Sequence, residues 1–197
     1  FSGPLLLPNN KDSLRNYFSQ ATLIDDGIGR ILEKLRTSSM LENTIVIYTS
    51  DHGFSLGNHG IWGHGMAAWP SSIHRPSFNI PLIFSGPGII KGVSETFVSQ
   101  LDLANTLLDL ADAEKLKGHR VDSKTLDLSD LNSQNRKMLF MEQEESRAIR
   151  NEHWLYIERF NKDSLSYLGS ELYDLKEDPD ERNNLSNSVS HKNTISS

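Results

Sequence analysis

The sequence predicts an α/β fold that comprises part of a mostly parallel central sheet flanked by helices, plus a small C-terminal antiparallel sheet. Three observations predict it: an amphipathic helix pattern over residues 12–38, an apolar run at residues 44–49, and short strand patterns that begin near residue 137. A helix followed by a buried strand and a polar, glycine-containing loop is the order typical of α/β proteins.

The first element is a helix, predicted because apolar residues recur at three- and four-residue steps. The apolar stripe consists of Leu14, Phe18, Ala21, Ile24, Ile28, Ile31, Leu32 and Leu35. Lys34 and Arg36 near its end suit the negative carboxyl end of the helix dipole. Asp25 and Asp26 are interpreted as solvated charges on its polar face, because charged residues are rarely buried.

Two apolar runs predict strands of the central sheet. The run TIVIYT at residues 44–49 lacks polar alternation, which indicates a strand buried on both faces of a parallel sheet. A second run at residues 80–84 ends at a Ser-Gly-Pro-Gly turn. A short helix is predicted to begin with Asp102 as its N-cap. Four short strand patterns between residues 138 and 174 then predict the small antiparallel sheet.

Composition excludes several classes of function. The net charge of −6 and the pI near 5.6 give no basic surface for nucleic acid, and no Lys/Arg run suits an anionic membrane. No apolar stretch reaches the roughly 18 residues of a membrane span. The chain contains no cysteine, so disulfides, thiolate metal sites and a cysteine nucleophile are absent from it. A start at Phe1, without an initiator methionine, predicts a fragment of a longer protein.

The central stretch, residues 43–81, is the predicted site. Asp51 and His52 directly follow the first predicted strand, and ligands of open α/β sheets bind at the carboxyl ends of strands. Carboxylates suit hard cations, whereas imidazole suits transition metals or catalysis. The many glycines between residues 53 and 65 imply unusual backbone angles and close approach to a ligand. The alternative is that the Asp-His pair only forms hydrogen bonds within a turn.

Three further residues of this stretch are candidates for the site. His64 lies between two glycines, and His74 is followed by Arg75. For both histidines a purely structural polar role is the alternative interpretation.

Six segments of the sequence form a recognisable series along the chain. Residues 50–65 read SDHGFSLGNHGIWGHG, and IPLIFSGPG and VSQLDLANTLLDLA follow. The predicted helix FSQATLIDDGIGRILEKL precedes them, and SRAIRNEHWLYI and ELYDLKEDPDERNNLS come after them. Together they closely resemble the C-terminal half of the sulfatase family, within the alkaline-phosphatase-like superfamily, and the last two resemble its small C-terminal sheet. The resemblance covers residues 14–186.

The resemblance implies roles for the candidate residues. Asp51 and His52 match the Asp-Asn or Asp-His pair that holds a divalent cation, usually Ca²⁺. His64 stands where the family usually has a lysine that contacts the sulfate. Its imidazole would donate a hydrogen bond to a sulfate oxygen or protonate a leaving oxygen, with a charge that depends on pH. The segment at residues 67–79 is longer than is usual, and its His74 and Arg75 are expected to line a substrate pocket.

The resemblance also implies what this chain lacks. The family's nucleophile is a formylglycine made from a C/S-x-P-x-R motif, which does not occur in this sequence. The chain by itself is therefore expected to be inactive, either as a fragment or as a relic. Residues 1–125 are expected to be the C-terminal part of the catalytic domain, and residues 126–197 a small antiparallel-sheet subdomain with a polar tail.

The expected function is hydrolysis of sulfuric esters, with a small-molecule or carbohydrate sulfate ester as the substrate. The alternative enzyme is a phosphonate or phosphodiester hydrolase of the same superfamily, which would favour Mn²⁺ or Zn²⁺. A catalytically silent binding module is the alternative from another class. From the resemblance alone, a secreted or periplasmic location is expected, while the oligomeric state and the precise substrate stay open.

Overall fold

A computed structural model of the protein describes residues 11–65, 70–114, 122–133 and 136–188. The chain divides into two compact units, Phe1–Pro87 and Gly88–Ser197. The predicted boundary between a catalytic domain and a subdomain, after residue 125, stays a prediction. Within the described residues, no helix combines the length and the apolar composition that crossing a membrane requires.

The first unit begins with helix α1, Lys11–Thr37, which confirms the predicted helix. None of its residues is buried, and its apolar stripe is exposed at Phe18, Ile24 and Ile31. A short 3₁₀ turn at Leu41–Asn43 leads from the helix to the first strand. The 3.6-residue periodicity therefore identified the helix correctly.

Strand β1, Val46–Thr49, pairs with strand β4, Leu82–Ser85. The pairing is antiparallel, with Val46 opposite Ser85 and Thr49 opposite Leu82. The sequence indicated a parallel sheet and a strand buried on both faces, and both details are wrong for this pair, whose residues are half-buried or exposed. The reason is that an apolar composition does not encode the direction of the neighbouring strand. The α/β class itself is confirmed.

Between these strands lies a compact glycine-rich loop. A short hairpin pairs two strands of two residues each, β2 at Ser55–Leu56 and β3 at Trp62–Gly63. The loop between them contains a 3₁₀ turn at Asn58–Gly60. Gly57 adopts φ +96° before that turn, and its missing Cβ makes room for the indole of Trp62. Helix α2, Arg75–Phe78, follows and completes the loop.

The second unit contains the predicted small antiparallel sheet, which is confirmed as four strands in the order β5-β6-β7-β8. The strands are β5 Leu139–Gln143, β6 Ser146–Arg150, β7 Trp154–Phe160 and β8 Tyr167–Asp174. Burial alternates along β7, and Leu155 and Ile157 are fully buried on one face. This period of two is typical of a sheet with one packed face.

Charged residues are also built into the packed parts of the second unit. Glu181 is 1% exposed and accepts a 2.7 Å hydrogen bond from Arg150 Nη1. Leu185 N–H binds the carbonyl oxygen of Leu172 in β8, so the polar segment after β8 packs onto the sheet. The sequence predicted only a polar tail at this end of the chain. It missed this packing because the segment's composition is polar, whereas its hydrogen bonds are specific.

Helix α3, Asp102–Leu110, is held by a buried ion pair. Asp102 is completely buried, and Arg136 donates to it from Nε at 3.0 Å and from Nη2 at 2.6 Å. The backbone N–H groups of Ser99 and Lys124 add bonds of 2.8 Å and 2.7 Å to the same carboxylate. The sequence predicted Asp102 as the N-cap of this helix, but the helix begins at Asp102 and its N-cap is Leu101, which makes no side-chain capping bond. Asp102 connects three chain segments through its bonds to Ser99, Lys124 and Arg136.

Candidate functional site

The candidate metal ligands lie where β1 ends. The N–H of His52 donates to Asp51 Oδ1 at 2.9 Å, and the Ser50 hydroxyl donates to the same oxygen at 3.3 Å. The bond from the His52 N–H, aided by the adjacent imidazole, holds the pKa of the Asp51 carboxyl below its usual value. Asp51 therefore presents a carboxylate anion at the carboxyl end of the strand.

His52 is oriented by its own backbone. Its Nδ1 lies 2.8 Å from the carbonyl oxygen of Gly53, which can only accept, so Nδ1 carries the proton and Nε2 is the basic nitrogen. That Nε2 lies 3.6 Å from Asp51 Oδ2. A hydrogen bond from the second ring nitrogen is the usual way in which a metal-binding histidine is fixed. The two side chains thus present one oxygen and one nitrogen donor to a common position.

This donor pair fits part of the ligand set of a divalent cation. The side chains of Asp51 and His52 are 84% and 48% exposed, so both can be reached by an ion. Ca²⁺ takes about 6–8 oxygen ligands, so two atoms supply only part of its shell. An imidazole nitrogen also suits Mn²⁺ or Zn²⁺, and the pair alone does not select the metal.

His64 lies beside the ligand pair. The centroids of the His52 and His64 rings are 4.9 Å apart, at an interplanar angle of 52°. Residues 12 positions apart in the sequence are brought together because the β2–β3 hairpin folds the intervening chain back. The structure therefore clusters three of the five predicted residues: Asp51, His52 and His64.

The other two predicted residues lie at the start of α2. His74 is 6% exposed, and its ring stacks on that of His59 with centroids 3.9 Å apart and an angle of 10°. Arg75 follows as the exposed first residue of the helix. Buried stacking suits a structural role for His74, the alternative left open by the sequence. The first residues of the lengthened segment, 67–69, lie outside the described residues.

Sequence reasoning missed the serines of this segment. Ser71, Ser72 and Ser77 are each at most 4% exposed, although serine is usually a surface residue. The carbonyl oxygen of Ser77 accepts a hydrogen bond from the N–H of Gly53, the residue directly after the candidate ligand pair. The N–H of Ser72 donates to the carbonyl oxygen of Gly65, the residue directly after His64. A run of small polar residues next to a proline reads as an ordinary loop, so nothing in the sequence marked them.

Comparisons with known proteins find family profiles and relatives that match most of this chain. The sulfatase family profile matches residues 6–113, and a profile described as N-sulphoglucosamine sulphohydrolase, C-terminal, matches residues 69–197. The choline-sulfatase of Rhizobium meliloti is 35% identical over 103 residues, which are 52% of this chain and 19% of that protein. The N-acetylglucosamine-6-O-sulfatase of Bacteroides thetaiotaomicron is also 35% identical over 103 residues, 51% of this chain and 17% of that protein.

Solved structures extend the likeness over both units. A structure described as a complex with its substrate D-glucosamine-2-N,6-O-disulfate is 27% identical, with a TM-score of 0.78 over 92% of this chain and 38% of that chain. The phosphonate monoester hydrolase of Agrobacterium radiobacter has a TM-score of 0.69 at 22% identity, which shows a shared fold alone. The chain spans less than a fifth of the two curated relatives named above and about two fifths of these solved structures.

Proposed function

The chain belongs to the sulfatase family, and from this premise we propose that it forms part of an enzyme that hydrolyses sulfuric esters of carbohydrates. The observation that carries the proposal is the cluster at the end of β1. There, Asp51 Oδ2 and His52 Nε2 lie 3.6 Å apart, and the His64 ring lies 4.9 Å from that of His52. A cation ligand pair beside a hydrogen-bond donor is the arrangement that a sulfate group requires.

The carbohydrate part of the proposal is supported by the relatives. One is named as an N-acetylglucosamine-6-O-sulfatase, and one solved structure is described with a disulfated glucosamine as its substrate. The profile that matches residues 69–197 is also that of an enzyme acting on N-sulphoglucosamine. An amino sugar sulfate is therefore the first substrate class to assay.

Each residue of the cluster has a separate task in this proposal. A bound divalent cation, with Ca²⁺ the first choice, would neutralise the sulfate charge and acidify the hydroxyl of the nucleophile. Asp51 Oδ2 and His52 Nε2 would hold that ion, with the ring of His52 fixed by the Gly53 carbonyl oxygen. His64 would donate a hydrogen bond to a sulfate oxygen and stabilise the charge of the transferring group.

The test is a paired assay of the full-length gene product. Its activity is measured on glucosamine 6-sulfate, on 4-nitrophenyl sulfate and on bis(4-nitrophenyl) phosphate, and its bound metal is determined by elemental analysis. A preference for the sulfate esters, with Ca²⁺ bound, is the expected result. A preference for the phosphate diester with Mn²⁺ or Zn²⁺ would identify the alternative hydrolase, and no turnover of any ester would identify a silent binding module.

The 197-residue chain by itself is expected to show no turnover of sulfate esters above the buffer rate. The reason is that the sequence contains no C/S-x-P-x-R motif for the family's nucleophile. The measurement is release of 4-nitrophenol by the purified chain, with the full-length enzyme as the positive control. Turnover that follows the chain through purification would contradict the assignment of the nucleophile to another part of the enzyme.

Replacing His64 by alanine in the full-length enzyme is expected to lower kcat/KM for sulfate esters by about 10- to 150-fold, which corresponds to losing a hydrogen bond to a charged group worth about 1.5–3 kcal/mol. His64→Lys should recover part of this loss, because an ammonium group can make the same bond. His153→Ala, at an exposed histidine of the second unit, is the matched control and should leave kcat/KM unchanged. Equal values for His64→Ala and the control would remove His64 from the site.

A further inference from the structure

We infer that the segment at residues 71–79 positions the two halves of the site relative to each other, through a hydrogen bond between the hydroxyls of Ser72 and Ser77. The inference rests on the proposed function, because it assigns the metal half to Asp51 and His52 and the sulfate half to His64. Ser72 and Ser77 would be positioning residues, which act through their neighbours and do not touch the substrate.

The first contact joins the segment to the metal half. The N–H of Gly53 donates to the carbonyl oxygen of Ser77 at 2.9 Å, one residue after His52. A Cβ at Gly53 would lie 2.1 Å from the carbonyl oxygen of Pro76. The backbones of the two segments are therefore in direct contact, and the same glycine supplies the carbonyl that orients the His52 ring.

The second contact joins the segment to the sulfate half. The N–H of Ser72 donates to the carbonyl oxygen of Gly65 at 3.2 Å, one residue after His64. Gly65 adopts φ +85°, and a Cβ there would lie 2.5 Å from the Cβ of Ser72. A residue with a side chain would be disfavoured at this backbone angle and would also clash with Ser72.

The two contacts are connected by a side-chain bridge. Ser77 Oγ donates to Ser72 Oγ at 3.0 Å, and both serines are buried, at 4% and 1% exposure. The path from Gly53 to Ser77, to Ser72 and to Gly65 thus consists of three hydrogen bonds. A bridge inside a buried environment is stronger and less mobile than one in water.

This path gives the lengthened segment a task that its sequence did not reveal. The turn with His52 and the turn with His64 are each attached to it at the residue that follows the functional side chain. A shift of about 1 Å in a positioned group can cost about 100-fold in rate. Loss of the bridge would allow the His64 turn to move relative to the metal ligands, which would affect catalysis more than stability.

The test uses the full-length enzyme with Ser72→Ala, Ser77→Ala and the double variant. Each single variant is expected to lower kcat/KM about 10-fold, near the upper range for one net hydrogen bond, and the double variant should lose no more than either single variant. The buried Ser146, whose hydroxyl accepts a 2.6 Å bond from Arg159 in the second unit, supplies the matched control Ser146→Ala. That control should lower the Tm but leave kcat/KM within about 2-fold of the parent. The reason is that losing a buried hydrogen bond away from the candidate site destabilises the fold without changing the site.

Two further measurements separate positioning from general damage. In a His64→Ala background, Ser72→Ala should cost no further activity, since the bridge would then have no sulfate contact to position. Ser72→Cys and Ser77→Cys, which keep the side-chain shape and a weak hydrogen-bonding group, should each lose less activity than the corresponding alanine variant. If an alanine variant fails to fold, the kcat/KM of the cysteine variant at the same position tests the bridge in its place.

Additive losses in the double variant, an unchanged kcat/KM, or an undiminished effect in the His64→Ala background would each overturn the inference. A full-length protein without sulfatase activity would instead overturn the proposed function. In that case the metal affinity of Ser77→Ala, measured by calorimetry with Ca²⁺ and Mn²⁺, still tests the bridge. A fall of about 10-fold or more would support it, on the scale of effects from residues that orient ligands, and an unchanged affinity would overturn it.

Discussion

Asp51→Ala in the full-length enzyme is expected to reduce the bound metal to a small fraction and to lower kcat/KM for sulfate esters by at least about 100-fold. The carboxylate is one of the two donors at the end of β1, and even residues that only orient metal ligands cost about 10- to 100-fold when replaced. Asp51 is also kept anionic by the N–H of His52, so alanine removes a full negative charge.

Asp51→Asn separates the charge from the oxygen donor. It keeps a carbonyl oxygen close to the position of Oδ2 but not the charge, so its metal affinity should fall between those of the parent and of Asp51→Ala. Asp163→Ala, at an exposed aspartate of the second unit, is the control and should change neither the bound metal nor kcat/KM. Elemental analysis after dialysis and steady-state kinetics with added metal give the two readouts. Full metal content and activity in Asp51→Ala would show that the ion is held elsewhere.

The second large effect is expected at the buried ion pair of the second unit. Asp102→Ala should lower the free energy of unfolding by about 3–5 kcal/mol, the cost of leaving one partner of a buried pair alone. The partner left behind is Arg136, whose side chain is only 7% exposed, and two backbone N–H groups would lose their acceptor as well. Urea unfolding of the full-length protein, followed by circular dichroism, measures the loss.

An exposed ion pair in the same unit supplies the control. Arg182 and Asp180 are 3.0 Å apart, but their side chains are 73% and 62% exposed. Asp180→Ala should therefore cost at most about 1 kcal/mol, the range of surface salt bridges. If both variants lost the same free energy, the burial of Asp102 would not be the source of its stabilising effect.

The same pair predicts how stability depends on pH. Burial raises the pKa of Asp102, but the bonds from Arg136 and from the N–H groups of Lys124 and Ser99 outweigh it, so the pKa lies below its usual value. A carboxyl with a lowered folded-state pKa contributes stability above its unfolded pKa and loses that contribution as pH falls through the folded value. The difference between the parent and Asp102→Ala should therefore be constant near neutrality and shrink below about pH 4.

The sequence predicted those features that depend on local periodicity or on a recognisable motif. Helix α1 follows from a periodicity of 3.6 residues, and the four-stranded sheet follows from short strand patterns at near-regular intervals. Asp51 and His52 were identified as candidates because they directly follow a predicted strand. Antiparallel pairing of β1 with β4 depends on how distant segments meet, which composition does not record. The same holds for the stacking of His59 on His74.

The buried polar residues were the hardest to predict. Asp102 looked like a helix cap, and Ser72 and Ser77 looked like loop residues, because polar residues are usually exposed. Their roles depend on partners 5 to 34 positions away, such as Ser72 for Ser77 and Arg136 for Asp102. A single sequence does not encode such pairs in its periodicity, so only the folded structure reveals them.

The exposed apolar side chains of helix α1 affect how this chain behaves in solution. Phe18, Leu23, Ile24 and Ile31 are each more than half exposed along one 27-residue helix. Large apolar side chains exposed in this way promote self-association in water. The chain produced in isolation should therefore precipitate or elute as oligomers whose size grows with concentration, and mild detergent should disperse them. Kinetic constants are consequently best measured on the full-length enzyme.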